Sequence, residues 1–456
     1  MKAEVREIAW DRPPEELFAG LCDRPSAFFL DSALPIGGHG RYSFIGFDPF
    51  LVFRASEGVI NLKRAEREED LRGDTFTELR TLLGRYYCAV RPEIPFPGGV
   101  VGYFSYEFGA RLERVACSHA GGPDVPEVEL GFYDGVLAFD HSARSAFMVA
   151  NPVDRANAVA IFRRLESAVS LARNTPRPAT KAQIAEPRPS FEKDDYLRAI
   201  ARIKDYIAAG DVYQVNLTQR FEAPLPCHPY GLYQRLRQRS SAPFASYLNL
   251  ESLQIVSSSP ERFLRIHNGR VETRPIKGTR PRGKTQAEDA RLQRELVASA
   301  KDRAELLMIV DLERNDLGRV CEPGSIQVDD LFKVETHPTV HHLVANVSGR
   351  LRPDCDVIDS LRAMLPGGSI TGAPKIRAMQ IIDELERTRR GVYTGAIGYI
   401  GFDGNCDLNI AIRTILCAHG QAFYNVGGGI VWDSDPESEY QETLDKGAAM
   451  RAALLE

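Results

Sequence analysis

A lysine lies where a predicted strand runs into prolines and glycines. Residues 275–283 read Pro-Ile-Lys-Gly-Thr-Arg-Pro-Arg-Gly, which places Lys277 on backbone that cannot continue a regular ladder. Side chains on such segments are well placed to serve a binding or catalytic site. A lysine held there becomes a nucleophile when its surroundings keep the amine uncharged. A solvated loop lysine is the alternative, and the spacing alone favours that simpler interpretation.

A glutamate is predicted at nearly the same level as this lysine. Residues 263–273 have the pattern of a hairpin with Asn268-Gly269 as its two-residue turn. Pairing outward from that turn sets Glu261 opposite Ile276, one residue before Lys277. Regular pleating then directs the acid and the amine to opposite faces. Only a bulge or a break near one of the flanking prolines brings both into one pocket, so the pattern permits this pair without establishing it.

Three carboxylates form a second candidate group. Glu439 and Glu442 are three residues apart on a predicted helix, so they share a face, and Lys446 follows one turn later. Glu305 lies on another predicted helix, residues 302–315. Carboxylates from two helices suit Mg²⁺, which takes oxygen ligands and keeps several waters. A solvated acidic face is the alternative, and for the pair on one helix alone it is favoured.

Glycines and histidines supply two further patterns. The run 427–429 is Gly-Gly-Gly, which predicts either a nest of backbone amides that binds an anion or a mobile turn. His337, His341 and His342 lie in a segment with extended character, where His341 and His342 point to opposite faces. We therefore do not expect these three histidines to bind one metal ion.

Strands and helices alternate without a regular βαβ order, which favours an α+β fold. Short β-prone runs at 28–30, 51–53 and 59–60 predict strands, and apolar residues at helical spacing predict a helix over 196–207 that ends at Gly210. The alternation in 213–218 predicts a strand with Gln214 and Asn216 on one face. Asp435-Pro436 predicts the start of the last helix. The segment 99–103 resembles 395–399, which duplication of a β-rich unit would explain.

Composition restricts the setting of this chemistry. With 456 residues, 43% of them hydrophobic, and a net charge of −5, the chain is long enough for two or three domains and offers no basic surface for nucleic acid. No apolar stretch is long enough to span a membrane. The eight cysteines form no C-x-x-C pair, which fits a reducing, cytoplasmic location. The proline-rich segment 174–190 predicts a linker between an N-terminal β-rich domain, 1–173, and a C-terminal catalytic domain, 191–456.

Taken together, these segments resemble the chorismate-utilising enzymes. The resemblance runs in order through most of the C-terminal half, at 210–217, 257–263, 275–283, 311–319, 337–344, 366–375, 393–399, 407–413 and 437–446. In the N-terminal half, 29–32 and 40–46 are similar to the companion domain of that family. The resemblance implies two packed antiparallel β-sheets flanked by helices.

The resemblance also implies roles for individual residues. Glu305 and Glu442 match Mg²⁺ ligands, with Glu439 in support. Glu261 matches an acid that protonates the departing C4 hydroxyl, and His342 matches a histidine beside the ring. The residues expected around the substrate are Gly278, Thr279, Tyr393, Arg413, Gly429, Gln214 and Lys446. Arg413 suits this role because its planar fork binds a carboxylate through two hydrogen bonds.

Two positions separate the reactions of the family. Members that form isochorismate or salicylate carry a lysine where this chain has Gln214, and anthranilate synthases carry an alanine where it has Lys277. The resemblance therefore implies that ammonia replaces the C4 hydroxyl of chorismate to give 4-amino-4-deoxychorismate, with Lys277 attacking ring carbon C2. For this amine to be neutral near pH 7, its pKa must fall by about three units, or roughly 4 kcal/mol.

The source of ammonia is expected on another chain. The sequence contains no Gly-x-Cys-x-Gly nucleophile elbow, so a separate glutamine amidotransferase subunit is implied, and the product is expected to feed 4-aminobenzoate and folate synthesis. Ser32 falls where anthranilate synthases have a tryptophan pocket; an effector site, a relic and simple core remain open. The rival functions are an anthranilate synthase component and a regulator that binds without turnover.

Overall fold

The computed structural model describes residues 3–34, 40–65, 67–88, 94–119, 121–153, 157–172, 184–338 and 340–456. In chain order the strands are β1 (Glu4–Ile8), β2 (Phe28–Asp31), β3 (Tyr42–Gly46), β4 (Leu51–Ser56), β5 (Val59–Arg64), β6 (Arg67–Arg72), β7 (Gly99–Phe104), β8 (Val128–Tyr133), β9 (Gly135–Asp140), β10 (Ser145–Ala150), β11 (Arg188–Pro189), β12 (Gln214–Pro224), β13 (Phe244–Asn249), β14 (Gln254–Ser259), β15 (Arg262–His267), β16 (Arg270–Arg274), β17 (Ile276–Pro281), β18 (Gln327–Thr336), β19 (Val340–Arg350), β20 (Gly372–Ala373), β21 (Ala396–Gly401), β22 (Cys406–Ile410), β23 (Thr414–Ala418) and β24 (Gln421–Ile430).

The helices lie between and after these strands. In chain order they are α1 (Pro14–Ala19), α2 (Thr75–Arg85), α3 (Tyr106–Leu112), α4 (Ala158–Ala172), α5 (Lys193–Ala208), α6 (Pro229–Arg239), α7 (Gln286–Ala298), α8 (Ala300–Gly318), α9 (Val357–Met364), α10 (Lys375–Leu385) and α11 (Pro436–Leu454), with one 3₁₀ turn at Gly368–Ile370. No helix in the described part of the chain is both long and apolar enough to cross a membrane.

Within the described residues, the strands form two antiparallel sheets of twelve strands each. The first has the order β1-β10-β9-β3-β2-β13-β14-β23-β24-β12-β11, with β20 beside β12. The second has the order β17-β19-β16-β15-β22-β21-β7-β8-β4-β5-β6, with β18 beside β19. The expected α+β fold of two packed antiparallel sheets with flanking helices is confirmed.

Alternating side chains divide the core into two apolar layers. Phe28 on β2 and Leu248 on β13 belong to the layer between the two sheets. Their neighbours Phe29 and Tyr247 point the other way, into the layer between the first sheet and its covering helices. Helices α6 and α11 pack on that outer face, against β14 and β24 respectively. The helix that carries two of the candidate carboxylates is thereby fixed to the first sheet.

Both sheets take strands from both halves of the chain. In the first sheet β2 pairs with β13, and in the second β7 pairs with β21. The two similar segments 99–103 and 395–399 are thus neighbouring antiparallel strands, with Gly102 opposite Gly398. Of the expected linker, 174–183 lies outside the described residues, and Arg188–Pro189 forms β11 beside β12. The division at 174–190 stays a prediction about the sequence, since the strands of its two sides share both sheets.

Most of the expected elements are present. The strands at 28–30, 51–53 and 59–60 are β2, β4 and β5, and the helices expected at 196–207, 302–315 and after Asp435 are α5, α8 and α11. The Asp435 side chain caps α11 by accepting from the backbone N–H of Ser438 at 3.0 Å. The hairpin β15–β16 turns at Asn268-Gly269, with His267 paired to Arg270.

Two expectations about local structure are wrong. Glu261 does not pair with Ile276: the hairpin shifts register between Arg262 and Arg265, Arg262 faces Arg274, and the chain then leaves β16 so that β17 pairs with β19. The glycine run 427–429 is neither a turn nor a nest. It lies inside β24 and pairs with Leu217, Asn216 and Thr218 of β12.

Candidate active site

The break after β16 redirects Lys277. Its strand, β17, shifts register against β19 between Lys277 and Thr279, and the residue at the shift, Gly278, has φ +70°. A side chain there would be strained and would also approach Asp302 to about 3.0 Å, so the position suits glycine. The amine of Lys277 donates a hydrogen bond to the carbonyl oxygen of Ser369 at 3.0 Å.

Glu261 lies beside this amine. It is 5% exposed and follows Pro260 at the end of β14, and Ser259 Oγ accepts its backbone N–H at 3.3 Å. Burial raises the pKa of Glu261, while the hydrogen bond from Ser369 and the charge of Lys277 oppose the shift. Burial also lowers the pKa of Lys277, against the pull of Glu305 and Glu261. The acid and the amine therefore share one site, because β17 belongs to a different pairing from the one that the hairpin register predicts.

These opposite pKa shifts have a chemical meaning. A neutral amine with a protonated carboxyl group carries the same number of protons as an ammonium with a carboxylate. Burial disfavours the ion pair because both charges lose water, whereas their mutual attraction favours it. Desolvation is the largest influence on both Glu261 and Lys277. The site therefore moves the pair toward the form in which the amine is a nucleophile and the carboxyl group is a proton donor.

The three candidate carboxylates come from α8 and α11. Glu439 and Glu442 lie over Gly428 of β24, where an added Cβ would lie 3.3 Å from Glu439 Oε2 and 3.7 Å from Glu442 Oε1. Glu439 is nearly buried and accepts a hydrogen bond from Ser434 Oγ at 2.6 Å. Glu305 on α8 has a raised pKa because it is buried, although Lys277 opposes the shift. One face of the pocket therefore carries a concentration of negative charge.

Two lysines balance this charge. The amine of Lys301 lies 3.6 Å from Glu439 and 3.9 Å from Glu305, and it is half exposed. The amine of Lys446 lies 2.6 Å from Glu442 and donates to the carbonyl of Gly427 at 3.1 Å. Both lysines have solvent-exposed stems and are able to swing away from the carboxylates. Their ammonium groups therefore supply positive charge beside the carboxylates.

The donor set fits a hydrated divalent cation rather than a tight cage. Among the described residues, the only three potential metal-ligating atoms lying within 4.8 Å of one another are those of Cys22, Asp23 and His228. That group is already engaged, since His228 Nδ1 accepts from Tyr230 N–H and Nε2 donates to Asp23 at 2.8 Å. The oxygens of the three glutamates do not all lie within 4.8 Å of one another, so an ion held here would also need water ligands, which Mg²⁺ keeps.

Strand β12 provides the floor of the site. Gln214 is fully buried, and its Nε2 donates to Asn216 Oδ1 at 3.3 Å. Asn216 Nδ2 donates in turn to the carbonyl of Ser369 at 2.8 Å, the same oxygen that Lys277 contacts. Gly429 faces Asn216, and a Cβ there would lie 2.7 Å from Gln214 Nε2. Within the described residues, Gln214 Oε1 has no hydrogen-bond partner, so the floor of the site contains an unused acceptor.

Histidines line the β19 side. Thr279 Oγ1 and His342 Nδ1 are 3.0 Å apart, and the rings of His337 and His342 are 5.0 Å apart. Burial, then the charge of Arg413, lowers the pKa of His342 well below its usual value, so this ring is neutral near pH 7. In the described part of the chain, Nε2 of His342 has no partner. His341 points away and lies 2.9 Å from Asp289, which confirms the expected opposite faces.

Arg413 and Tyr393 complete the set. Arg413 has φ +50° between β22 and β23, and burial lowers the pKa of its guanidinium while Glu261 opposes the shift. Tyr393 is 7% exposed, and burial raises the pKa of its hydroxyl. The structure therefore gathers the expected residues of β12, β17, β19, β24, α8 and α11 in one region. Their individual roles stay predictions.

Sequence reasoning missed several members of this region. Ser369, the shared acceptor, lies in the 3₁₀ turn within the segment 366–375 that carries the family resemblance, but its backbone carbonyl has no mark in the residue type. Asn216 could have been identified from the sequence, since the alternation in β12 already put it on the same face as Gln214. Lys301 is four residues before Glu305 on α8, a spacing that predicts contact. Arg390, which contacts the 3₁₀ turn, follows α10 and has no periodic pattern that would single it out.

A separate cavity lies at Ser32. It has a volume of about 200 Å³, and the residues that line it include Ser32, Tyr42, Arg262, Tyr399 and Asp407. Ser32 Oγ donates to the carbonyl of Tyr42 at 2.5 Å. We call this cavity the Ser32 pocket. Ser32 is thus part of a pocket wall and not of a solid core, and whether an effector binds there stays a prediction.

Comparison with known proteins decides the family. The family of chorismate binding enzymes matches residues 37–452. The chain belongs to the chorismate-binding enzymes. Aminodeoxychorismate synthase component 1 of Klebsiella aerogenes is 40% identical over 438 residues, 95% of this chain and 94% of the relative. Anthranilate synthase component 1 of Pseudomonas aeruginosa is 38% identical over 455 residues, 97% and 92% respectively.

A solved structure agrees with this assignment. Anthranilate synthase component I from Streptococcus pneumoniae superposes on this chorismate-binding enzyme with a TM-score of 0.81 at 31% identity, over 90% of this chain and 92% of the other. The relatives thus divide between two reactions at nearly equal identity. Overall similarity therefore establishes the family but leaves the choice of reaction to individual residues.

Proposed function

We propose that this chain converts chorismate and ammonia to 4-amino-4-deoxychorismate. The observation that carries the proposal is the position of the half-buried Lys277, whose amine lies 3.0 Å from the Ser369 carbonyl and close enough to Glu261 for each to influence the other's pKa. Anthranilate synthases, to which the chain is about as similar overall, are expected to have alanine at this position. A lysine that lies beside an acid in the site is a group that formation of 4-amino-4-deoxychorismate uses and formation of anthranilate does not.

The protein groups then act in a balanced sequence. Lys277, as the free amine, forms a bond to ring carbon C2; the ring double bonds shift, and the C4–O bond breaks. Glu261 gives its proton to the departing hydroxyl, which leaves as water. Ammonia then bonds to C4, the double bonds shift back, and the C2–N bond to Lys277 breaks. The carboxylate of Glu261 takes a proton from the new C4 ammonium group, so both residues return to their starting forms.

The remaining residues bind and orient the substrate in this proposal. Arg413 is suited to a substrate carboxylate, since a guanidinium in a buried site gains a charge partner when that anion binds. Thr279, Tyr393, Gly429 and Lys446 border the same space, and Gln214 contributes an amide where isochorismate-forming enzymes are expected to have a lysine. Without that lysine, activation of water is disfavoured. His342, neutral near pH 7, is a hydrogen-bonding neighbour of the ring.

Glu305, Glu439 and Glu442 would hold Mg²⁺. Glu439 and Glu442 lie over Gly428, and the amine of Lys301 lies near both Glu305 and Glu439, which supports this proposal. When bound, the ion would neutralise a substrate carboxylate that otherwise faces these three glutamates.

A partner is expected to supply ammonia. The relative from Klebsiella aerogenes is named component 1, which implies a further component in that protein. We propose the same for this chain, with a glutamine amidotransferase subunit as the source of ammonia and 4-aminobenzoate and folate synthesis as the use of the product. Free ammonium salt should replace the partner in the laboratory.

The test is incubation of the purified chain with chorismate, Mg²⁺ and ammonium salt, followed by mass analysis. We expect a product that has exchanged a hydroxyl for an amino group and retains its enolpyruvyl group. Anthranilate with released pyruvate would instead identify an anthranilate synthase, the second candidate, which the Streptococcus pneumoniae structure favours. Tight chorismate binding with neither product would identify a binding protein.

A further inference from the structure

One carbonyl oxygen holds the candidate nucleophile. Ser369 O accepts from Lys277 Nζ at 3.0 Å and from Asn216 Nδ2 at 2.8 Å. A backbone carbonyl takes no proton, so it can orient an amine without favouring the ammonium form as a carboxylate does. A neutral amine that directs one N–H at this oxygen has only two tetrahedral positions left for its lone pair, and both point away from the oxygen. The position of Ser369 O therefore restricts the direction of attack.

A buried arginine fixes the two segments that carry this oxygen. Arg390 is 3% exposed, and its Nη1 donates to the carbonyl of Ile370 at 2.9 Å while its Nη2 donates to the carbonyl of Asn216 at 2.9 Å. Ile370 follows Ser369 in the 3₁₀ turn, and Asn216 is the residue whose amide binds Ser369 O. One guanidinium thus joins the 3₁₀ turn to β12 on either side of the oxygen.

Glu386 holds this guanidinium in place. Its carboxylate accepts from Arg390 Nη2 at 2.6 Å and from Nε at 2.9 Å. The same carboxylate accepts from the backbone N–H of Thr218 at 2.9 Å and from its hydroxyl at 2.8 Å, which fixes it to β12 as well. The forked geometry uses donors on all three guanidinium nitrogens, which a lysine cannot reproduce.

We propose that Arg390 and Glu386 are positioning residues for the nucleophile: by clamping the carbonyls of Asn216 and Ile370, they fix Ser369 O and thereby restrict the direction of the Lys277 lone pair. The proposal rests on the proposed reaction, in which Lys277 attacks the ring. Neither residue touches the reacting atoms in it. Their effect is expected on the chemical step, because a misplacement of about 1 Å can cost about 10²-fold in rate.

The test replaces both charges together. Arg390→Gln with Glu386→Gln avoids leaving one buried charge without its partner. Arg54→Gln with Glu129→Gln is the matched control, since this pair is also largely buried, 3.2 Å apart, and lies on β4 and β8 of the N-terminal half. We expect kcat with chorismate and ammonium to fall by about 10- to 100-fold in the first double variant, with KM for chorismate changed far less. The control should keep its kcat.

Two further variants keep the proposal falsifiable if the double variant does not fold. Asn216→Ala removes the hydrogen bond from the side-chain amide to Ser369 O and leaves the Arg390–Glu386 ion pair intact. Arg390→Lys keeps the positive charge but loses the forked hydrogen bonds of the guanidinium. Both should show the same selective loss of kcat. Full kcat in a folded Arg390→Lys enzyme, or equal losses in the clamp and control pairs, would overturn the proposal. The product of the wild-type enzyme separately decides the reaction itself.

Discussion

The candidate active site and the Ser32 pocket both bury charge, but they treat it differently. In the Ser32 pocket, Arg262 donates to both oxygens of Asp407 at 2.9 Å, and the buried Asp31 accepts from Tyr233 at 2.7 Å and from Arg237 at 2.6 Å. Each of these charges has an opposite charge or a donor in direct contact. Such a pocket can bind a ligand without reacting with it.

In the candidate active site, burial instead shifts the pKa values of several groups away from their usual range. Burial moves the pKa of Lys277 down and that of Glu261 up, and it lowers the pKa of His342. A charge that is paired on the protein is stabilised and inert, whereas a group made neutral by desolvation keeps its reactivity. The comparison predicts that substitutions in the candidate active site change the rate of the chemical step. Substitutions in the Ser32 pocket should change only ligand binding or stability.

Replacing Lys277 with alanine should have the largest effect. If Lys277 forms the covalent bond to C2, its loss removes the reaction path, and formation of 4-amino-4-deoxychorismate should fall on the order of 10⁴-fold. A residual anthranilate-like product is compatible with this outcome. Mass analysis of the products measures both. Unchanged turnover to 4-amino-4-deoxychorismate would remove the covalent step, and a melting temperature close to the wild type is the control for folding.

Replacing Glu261 with glutamine should have the next largest effect. The amide keeps the shape of the side chain and cannot give a proton to the C4 hydroxyl, so kcat should fall by about 10²- to 10⁴-fold. Steady-state kinetics with saturating ammonium measures the loss. Wild-type kcat in the Glu261→Gln enzyme would show that another group protonates the leaving hydroxyl.

Replacing Glu305 with glutamine should weaken Mg²⁺ binding. The change removes one of the three candidate carboxylates, and we expect the affinity for Mg²⁺ to fall by about 10- to 100-fold. Titration calorimetry measures this without turnover. Glu68→Gln on β6 is an exposed control and should bind Mg²⁺ as the wild type does. Equal affinities in both variants would place the ion elsewhere.

The dependence of turnover on pH should be bell-shaped. Lys277 has a lowered pKa, so its neutral amine persists to lower pH than usual, and activity is lost as pH falls through that lowered value. Glu261 has a raised pKa, so its proton persists to higher pH than usual, and activity is lost as pH rises through that raised value. Each limb should approach about a tenfold change per pH unit. Measuring kcat/KM across pH in wild type and in Glu261→Gln tests the assignment, since the alkaline limb should disappear in the variant.

Replacing Ser32 with alanine should have the smallest effect. The change removes one hydrogen bond to Tyr42 and should cost less than about 1.5 kcal/mol of unfolding free energy, with kcat unchanged. Thermal melting and kinetics measure these two quantities. A large fall in kcat would contradict the separation of the two regions. Calorimetry with tryptophan on both proteins tests whether the pocket binds an effector.

The sequence predicted local elements better than their pairing. Turn chemistry at Asn268-Gly269 and the cap at Asp435 act over a few residues, so both are recognisable without the fold. The partner of β17 could not be recognised in this way. Strand β17 pairs with β19, which lies far along the chain, because Pro275 ends the hairpin ladder before β17 begins. The glycine run shows the same limit, since what makes 427–429 a strand is the presence of β12 beside it.

The residues of the candidate site also fall into a group that the sequence identified and a group that only the structure shows. Lys277, Glu261 and the three glutamates belong to segments with recognisable residue types, and the family resemblance named them. The groups that orient them, Ser369 and Arg390, act through a backbone carbonyl and a buried guanidinium. Backbone acceptors carry no signature in the residue type, so only the folded chain reveals them.

The strand pairs that join the two halves of the chain affect how this protein folds during synthesis. Strands β2 and β7 emerge from the ribosome long before β13 and β21, the neighbours that complete them. Until then each nascent sheet has an unpaired border that invites pairing with other chains. Completion of both sheets therefore has to wait until β13 and β21 have been translated, and a polypeptide truncated to either half would be prone to aggregate and would not form a working fragment.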